Sequence, residues 1–131
     1  MNIPFLSILE ETVLRLKKLK VRTVGILATQ STVDSKIYSS ILQKNKISVL
    51  YPSKTEQDEI NKIIVKALNG ETEFDNKKIR TIFNFFHKRG AEIILLACTD
   101  LQLATSKIKS PIPVIDTTEI LIQASVRELI K

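Results

Sequence analysis

The only cysteine of the 131-residue chain, Cys98, closes a strongly apolar run and is followed directly by Thr99 and Asp100. A thiol at the start of a helix can have a lowered pKa, because the amide dipoles there stabilise the thiolate. Such a thiolate could remove an acidic proton or attack an electrophile. A buried free cysteine is also a common and inert core residue. Taken alone, the position of Cys98 therefore leaves both interpretations open.

A second group of polar residues follows the apolar run at 22–29 and includes Thr29, Ser31 and Thr32. Hydroxyl donors beside the amides of a helix N-terminus suit a carboxylate or a phosphate. The same side chains are also ordinary helix caps. The sequence contains no Ser/His/Asp set, Walker loop or GxGxxG motif. We interpret the one histidine, His87, as a surface residue near the end of a helix.

The elements that must position these residues alternate along the chain. Four short apolar runs predict strands at 22–29, 47–51, 91–97 and 113–116. Helical spacing and capping residues predict helices at 6–20, 31–45 (with Ser31 or Thr32 as the N-cap), 56–68, 79–89, 100–107 and 117–131. This order predicts an α/β fold: a single three-layer domain with a four-stranded, mainly parallel sheet and helices on both faces. Ligands of such sheets bind at the carboxyl ends of the strands, where both polar groups would lie.

Composition excludes several classes of protein. One cysteine and one histidine exclude a disulfide framework and argue against a structural metal site. The net charge is +6, but the basic residues do not interleave with aromatic ones, so we do not expect a nucleic-acid partner. The sequence shows neither a secretory signal nor an apolar stretch of membrane-spanning length. A free thiol fits a reducing compartment, and we expect a cytoplasmic protein with no membrane partner.

Four ordered segments, together with the opening stretch of the chain, resemble the aspartate/glutamate racemase family. The stretch TVGILATQSTVDSKIY (23–38) is similar to that family's strand, its T-x-G-T turn and the helix that follows. RGAEIILLACTDLQL (89–103) resembles its R-G-A-apolar-C-T-E-L segment, and IPVIDTTEI (112–120) its closing V-P-V-I-D-T-T. YPSKTEQDEINKIIVKALNG (51–70) has its Pro, Gln and Ile-Ile pattern, and IPFLSILEETVLRL (3–16) resembles the crossover between the family's two domains.

The resemblance implies a racemase that uses no cofactor and no metal, with an aspartate/glutamate-class amino acid or another small carboxylate as its ligand. In the family, two thiols face each other across the substrate Cα, and one removes the proton that the other returns. Cys98 matches the thiol of the second domain. Thr29, Ser31, Thr32 and Thr99 match positions that hold the substrate carboxylate, and Asp100 stands beside them where the family usually has Glu. A crossover helix at 1–20 and a core at 21–131 would then make up one racemase-like domain.

Residues 1–131 match only the second half of the family pattern, so the second thiol is missing. Three outcomes stay open: two copies pair, a separately encoded first half completes the site, or the chain folds without catalysing. The competing class of function is a binding module for a small anion or carboxylate. We expect a homodimer, because the stripe of Leu9, Val13 and Leu16 on the first helix would need cover. The sequence also places Leu68 where some members have a lysine for the side-chain carboxylate of the substrate.

Overall fold

A computed structural model of the chain describes residues 5–129. The described strands are β1 Thr23–Leu27, β2 Ser48–Leu50, β3 Ile93–Leu96 and β4 Val114–Asp116. The described helices are α1 Phe5–Lys18, α2 Gln30–Ser35, α3 Ile37–Lys44, α4 Lys54–Leu68, α5 Asn76–Lys88, α6 Thr99–Thr105 and α7 Thr117–Leu129. Every predicted strand and helix has a counterpart, apart from residues 130–131 of the last helix, which lie outside the described residues.

The four strands form one sheet in the order β2-β1-β3-β4, and every neighbouring pair is parallel. The two central strands, β1 and β3, are buried along almost their whole length. Their apolar side chains point alternately to the two faces, so both faces need a cover of helices. The predicted α/β fold with a parallel sheet is confirmed.

Each face of the sheet has its own apolar core. On one face, α1, α3 and α7 pack through residues such as Leu16, Leu42 and Ile120. On the other face, α4, α5 and α6 pack through residues that include Ile60, Phe83, Phe86 and Leu101. We call the second face the α4–α6 face. The result is a three-layer domain.

The apolar stripe of α1 lies inside the chain's own core. Leu9, Val13 and Leu16 are all buried. The expectation that this stripe needs a partner for cover is therefore wrong, because β1, α3 and α7 already cover it. Among the side chains of the neighbouring helix α7 that the structure describes, the exposed large apolar ones are Ile122, Val126 and Leu129, which recur at helical spacing.

Three helix starts differ from the sequence prediction. Helix α5 begins at Asn76, three residues before the predicted start, because Asp75 caps it. The predicted helix at 31–45 is divided at Lys36, whose φ of 56° lies in the left-handed region, and Thr29 rather than Ser31 or Thr32 caps its first part. Helix α4 begins at Lys54, because Ser53 and Glu56 form a reciprocal capping box. Gln57 lies three residues before Ile60 and so shares the buried face of α4, where it reaches the carbonyl of Ala28 just beyond β1.

We predict that Gly25→Ala destabilises the fold by about 1–3 kcal/mol through overpacking. A Cβ at Gly25 would lie 2.8 Å from the ring of Phe86, inside the core of the α4–α6 face. Urea unfolding measures the change in the free energy of unfolding for three variants: Gly25→Ala, Phe86→Leu and the combination of both. The glycine substitution should cost less in the Phe86→Leu background, and an unchanged unfolding midpoint for Gly25→Ala would contradict the proposed contact.

Candidate functional site

The carboxyl ends of β1 and β3 lie side by side, as the sequence predicts. Leu27 and Leu96 are paired in the parallel register, and the amide of Ala97 donates to the carbonyl of Leu27 at 2.8 Å. Thr29 lies two residues after Leu27, and Cys98 lies two residues after Leu96. Since neighbouring strands are about 4.8 Å apart, the two polar groups share one edge of the sheet.

At the end of β1, hydroxyl groups organise the start of α2. The Oγ1 atom of Thr29 accepts a hydrogen bond from the amide of Thr32 at 3.3 Å and donates to the Thr32 hydroxyl at 2.9 Å. Ser31 is exposed in the first turn of the helix. The structure therefore brings Thr29 and Thr32 into direct contact and leaves the Ser31 hydroxyl open to solvent.

At the end of β3, Cys98 begins helix α6 as its N-cap. Its φ of −147° is extended, and its side chain makes no capping hydrogen bond. The thiol is free and half-buried, and it donates to the carboxylate of Asp100 across an Sγ–Oδ2 distance of 3.9 Å. Thr99 is the first residue of α6, and its side chain lies outside the part that the structure describes.

The surroundings of Cys98 favour the neutral thiol. Burial is the main cause that raises the pKa of the Cys98 thiol, and the charge of Asp100 raises it further. The backbone amides of Asp100 and Leu101 lower this pKa, but they do not offset the burial. The amides at the helix start therefore act in the expected direction, but desolvation outweighs them, so the expectation of a lowered thiol pKa is not met.

A chain of amide side chains behind Thr29 was not predicted from the sequence. The Nε2 atom of Gln57 donates to the carbonyl of Ala28 at 3.0 Å and to Oδ1 of Asn61 at 2.9 Å. Asn61 donates in turn to Gln30, which donates to the carboxylate of Asp34. Because a carboxylate only accepts, this chain fixes the orientation of every amide and ties α2 and α4 to the end of β1. The available signal was Gln57 itself, a polar residue three positions before Ile60 on the buried face of α4.

The end of β4 contributes a second unpredicted group of polar residues. Asp116 is 4% exposed and accepts a hydrogen bond from the amide of Thr118 at 2.8 Å. The hydroxyl of Thr117 donates to the carbonyl of Leu96 at 3.3 Å, which fixes the start of α7 to the end of β3. Burial raises the pKa of the Tyr38 hydroxyl, and a hydrogen bond with Thr117 opposes that effect. An acidic residue that ends an apolar strand was the signal for this group.

Leu68 lies away from the candidate site. Helix α4 begins near the carboxyl edge, where Gln57 contacts Ala28, and Leu68 is its last residue, about 16 Å further along the helix axis. The side chain is exposed. The residue at this position therefore gives no information about the side chain of a ligand at Cys98.

Among residues 5–129, no group of three or more His, Cys, Asp and Glu side chains could hold a metal ion. Over the same range, no helix combines the length and apolar character needed to cross a membrane.

The sequence model of the Asp/Glu/hydantoin racemases matches residues 1–125. The chain belongs to this family. It is 29% identical over 128 residues to the broad specificity amino-acid racemase RacX of Bacillus subtilis (strain 168), an alignment that covers 96% of this chain and 55% of the relative. The resemblance that the four ordered segments indicated is confirmed.

Solved structures of racemases have the same fold. An aspartate racemase homologue from Pyrococcus horikoshii OT3 has a TM-score of 0.85 and 27% identity, over 100% of this chain and 58% of that one. The aspartate racemase of Picrophilus torridus has a TM-score of 0.75 and 30% identity, over 92% of this chain and 51% of that one. The chain thus spans about half the length of RacX and of both structures.

We predict that Asp100→Asn lowers the pKa of the Cys98 thiol. The substitution removes the negative charge beside Sγ, and the amide that replaces it can donate to the thiolate. The rate of alkylation by iodoacetamide, followed against pH, should rise at a lower pH than in the unmodified chain. Asp58→Asn, an exposed change on α4, is the matched control and should leave the profile in place. An unmoved or upward-shifted profile for Asp100→Asn would show that this carboxylate does not act on the thiol.

Proposed function

We propose that this chain forms one half of a cofactor-independent amino-acid racemase site, in which Cys98 is one of two thiol acid/bases. The observation that carries the proposal is the position of Cys98. A free, half-buried thiol begins a helix at the carboxyl edge of a parallel sheet, in a chain that belongs to a racemase family. Ligands of this fold class bind at that edge.

The upward shift of the Cys98 pKa bears on the part that this thiol plays in the reaction. A racemase with two bases needs a thiolate on one face of the substrate Cα and a thiol on the other. Because its surroundings favour the thiol, Cys98 suits the donor, which returns a proton to the carbanion and is left as a thiolate. That thiolate is the base for the opposite direction, so two copies of Cys98 can take the two parts in turn. The amides of Asp100 and Leu101 then stabilise that thiolate until it is protonated again.

The hydroxyls at the neighbouring strand end suit the substrate carboxylate. Thr29 and Thr32 lie beside the start of α2, and the exposed hydroxyl of Ser31 is available to a ligand. We assign carboxylate binding to these three residues together with Thr99, and we place Asp100 at the rim of the same site. An aspartate- or glutamate-class amino acid is the proposed substrate, in line with the family.

The second thiol must come from outside residues 1–131, which contain one cysteine. A second copy of the chain is the simplest source, since it would bring its own Cys98 to the opposite face of the substrate. The exposed apolar stripe of α7 gives a homodimer additional surface to bury, in place of the α1 stripe that the core already covers. A separately encoded first half is the alternative source of the second thiol.

A carboxylate-binding module without catalysis is the second candidate function. It is favoured by the presence of one thiol in these residues and by the pKa of that thiol, which lies above its ordinary value. Such a module would use the hydroxyls of Thr29, Ser31 and Thr32 and would not need Cys98.

We predict that the chain, as a homodimer, exchanges the Cα hydrogen of L-aspartate for deuterium in heavy water. This exchange requires only one competent base. NMR of the amino acid detects the loss of the Cα proton signal, even when the exchange is slow. Cys98→Ser should abolish the exchange, because a serine hydroxyl is far less acidic than a thiol, and it should leave binding of the amino acid in place.

Light scattering on the same sample separates the outcomes. A dimer with Cys98-dependent exchange supports the proposal. A monodisperse monomer that binds L-aspartate without exchange would indicate the binding module. Exchange that persists in Cys98→Ser would exclude this thiol as the base.

A further inference from the structure

Three buried side-chain polar atoms have no hydrogen-bond partner in the described part of the chain: Tyr51 Oη, Gln57 Oε1 and Asp116 Oδ2. All three residues lie at the carboxyl edge of the sheet. Tyr51 follows β2, Gln57 binds the carbonyl just beyond β1, and Asp116 ends β4. Only Asp116 among them bears a carboxylate. A buried carboxylate oxygen without a donor is costly, so its retention calls for an explanation.

Asp116 shares a face of the sheet with Cys98. It is the register partner of Leu96, and side chains of paired residues in neighbouring strands point to the same face. Leu96 and Cys98 both pack into the core of the α4–α6 face, as does Val114, two residues before Asp116. Spacing between strands and rise along a strand place the Cα atoms of Cys98 and Asp116 about 8 Å apart.

The carboxylate is held firmly on one side and free on the other. Its Oδ1 atom is taken by the amide of Thr118, and the neighbouring Thr117 is fixed to the carbonyl of Leu96. Oδ2 is therefore the oxygen of this carboxylate that is left without a donor. Its environment is buried, so a hydrogen bond with a charged donor there would face little competition from water.

We propose that Asp116 Oδ2 binds the ammonium group of an α-amino acid whose Cα lies against the thiol of Cys98. This assignment rests on the proposed function of the Cys98 site. It makes Asp116 the residue by which the site selects amino acids over carboxylic acids that lack an amino group. The separation of about 8 Å accommodates a Cα in contact with Sγ and an ammonium that extends from it towards Oδ2. Thr118, which donates to this carboxylate, is only half-buried, and so is Cys98 on the same face of the sheet. We therefore take the thiol side as the direction of approach.

The assigned contact has a chemical consequence. A carboxylate beside the amino group keeps that group protonated, and the positive charge next to Cα stabilises the carbanion that forms there. Asp116 would thus assist proton removal without itself exchanging a proton with Cα. Asp100, which is closer to the thiol, is the competing carboxylate for the same ammonium.

The test compares L-aspartate with succinate, which has the same two carboxylates and lacks only the amino group. Calorimetric titration of the full chain should give binding of L-aspartate at least about tenfold tighter than that of succinate, as expected for one charged hydrogen bond. Asp116→Asn should bring the two affinities close together by weakening L-aspartate alone. Asparagine and aspartate cap helices equally well, so the start of α7 is preserved.

Matched variants make the result specific. Asp116→Ser, a second uncharged cap, should reproduce the loss if Asp116→Asn is poorly folded, and Asp58→Asn should retain the full preference. Unchanged preference in both Asp116 variants would overturn the assignment, and so would loss of preference in Asp100→Asn alone. Equal binding of the two ligands by the unmodified chain would overturn the assignment while leaving a carboxylate site. Binding of neither ligand would overturn the proposed function together with it.

Discussion

The in-register parallel pairing of β1 with β3 is the constraint on which the candidate site depends. The hydrogen bond from Ala97 to Leu27 places both strand ends at the same level, so that the hydroxyls after β1 and the thiol after β3 lie side by side. A shift of one residue would turn Cys98 to the other face of the sheet and away from the core that half-buries it. Packing of Phe86 against Gly25 holds α5 close to β1 on the α4–α6 face, and this contact supports the pairing of β1 with β3.

The fold was predictable because its signals are local. Short apolar runs bounded by polar residues, such as IILL, are typical of buried strands, and the polar residues around them cap the helices that follow. The break at Lys36 was not predictable, because a left-handed φ is uncommon for a lysine and no residue type marks the position. In the same way, the cap at Thr29 depends on where β1 ends, and an apolar run marks that point only to within a few residues.

The positions of the site residues were more predictable than their chemistry. Spacing was enough to bring Cys98 and Thr29 to one edge, but the pKa of the thiol depends on how deeply the surrounding helices bury it. Gln57 and Asp116 were missed for a related reason. A polar residue on an apolar face has a visible position in the sequence, whereas the atom that it leaves unpaired is known only once its partners are placed.

The central claim is that Cys98 lies in a ligand site and is not an inert core thiol. The most direct measurement is the alkylation of Cys98 by iodoacetamide in the presence of increasing L-aspartate, followed by mass spectrometry of the peptide that contains the thiol. The account predicts that the amino acid slows alkylation in a saturable manner, because its Cα would occupy the space in front of Sγ. Alkylation at the same rate at every concentration of L-aspartate, in a chain that binds this amino acid, would contradict the account.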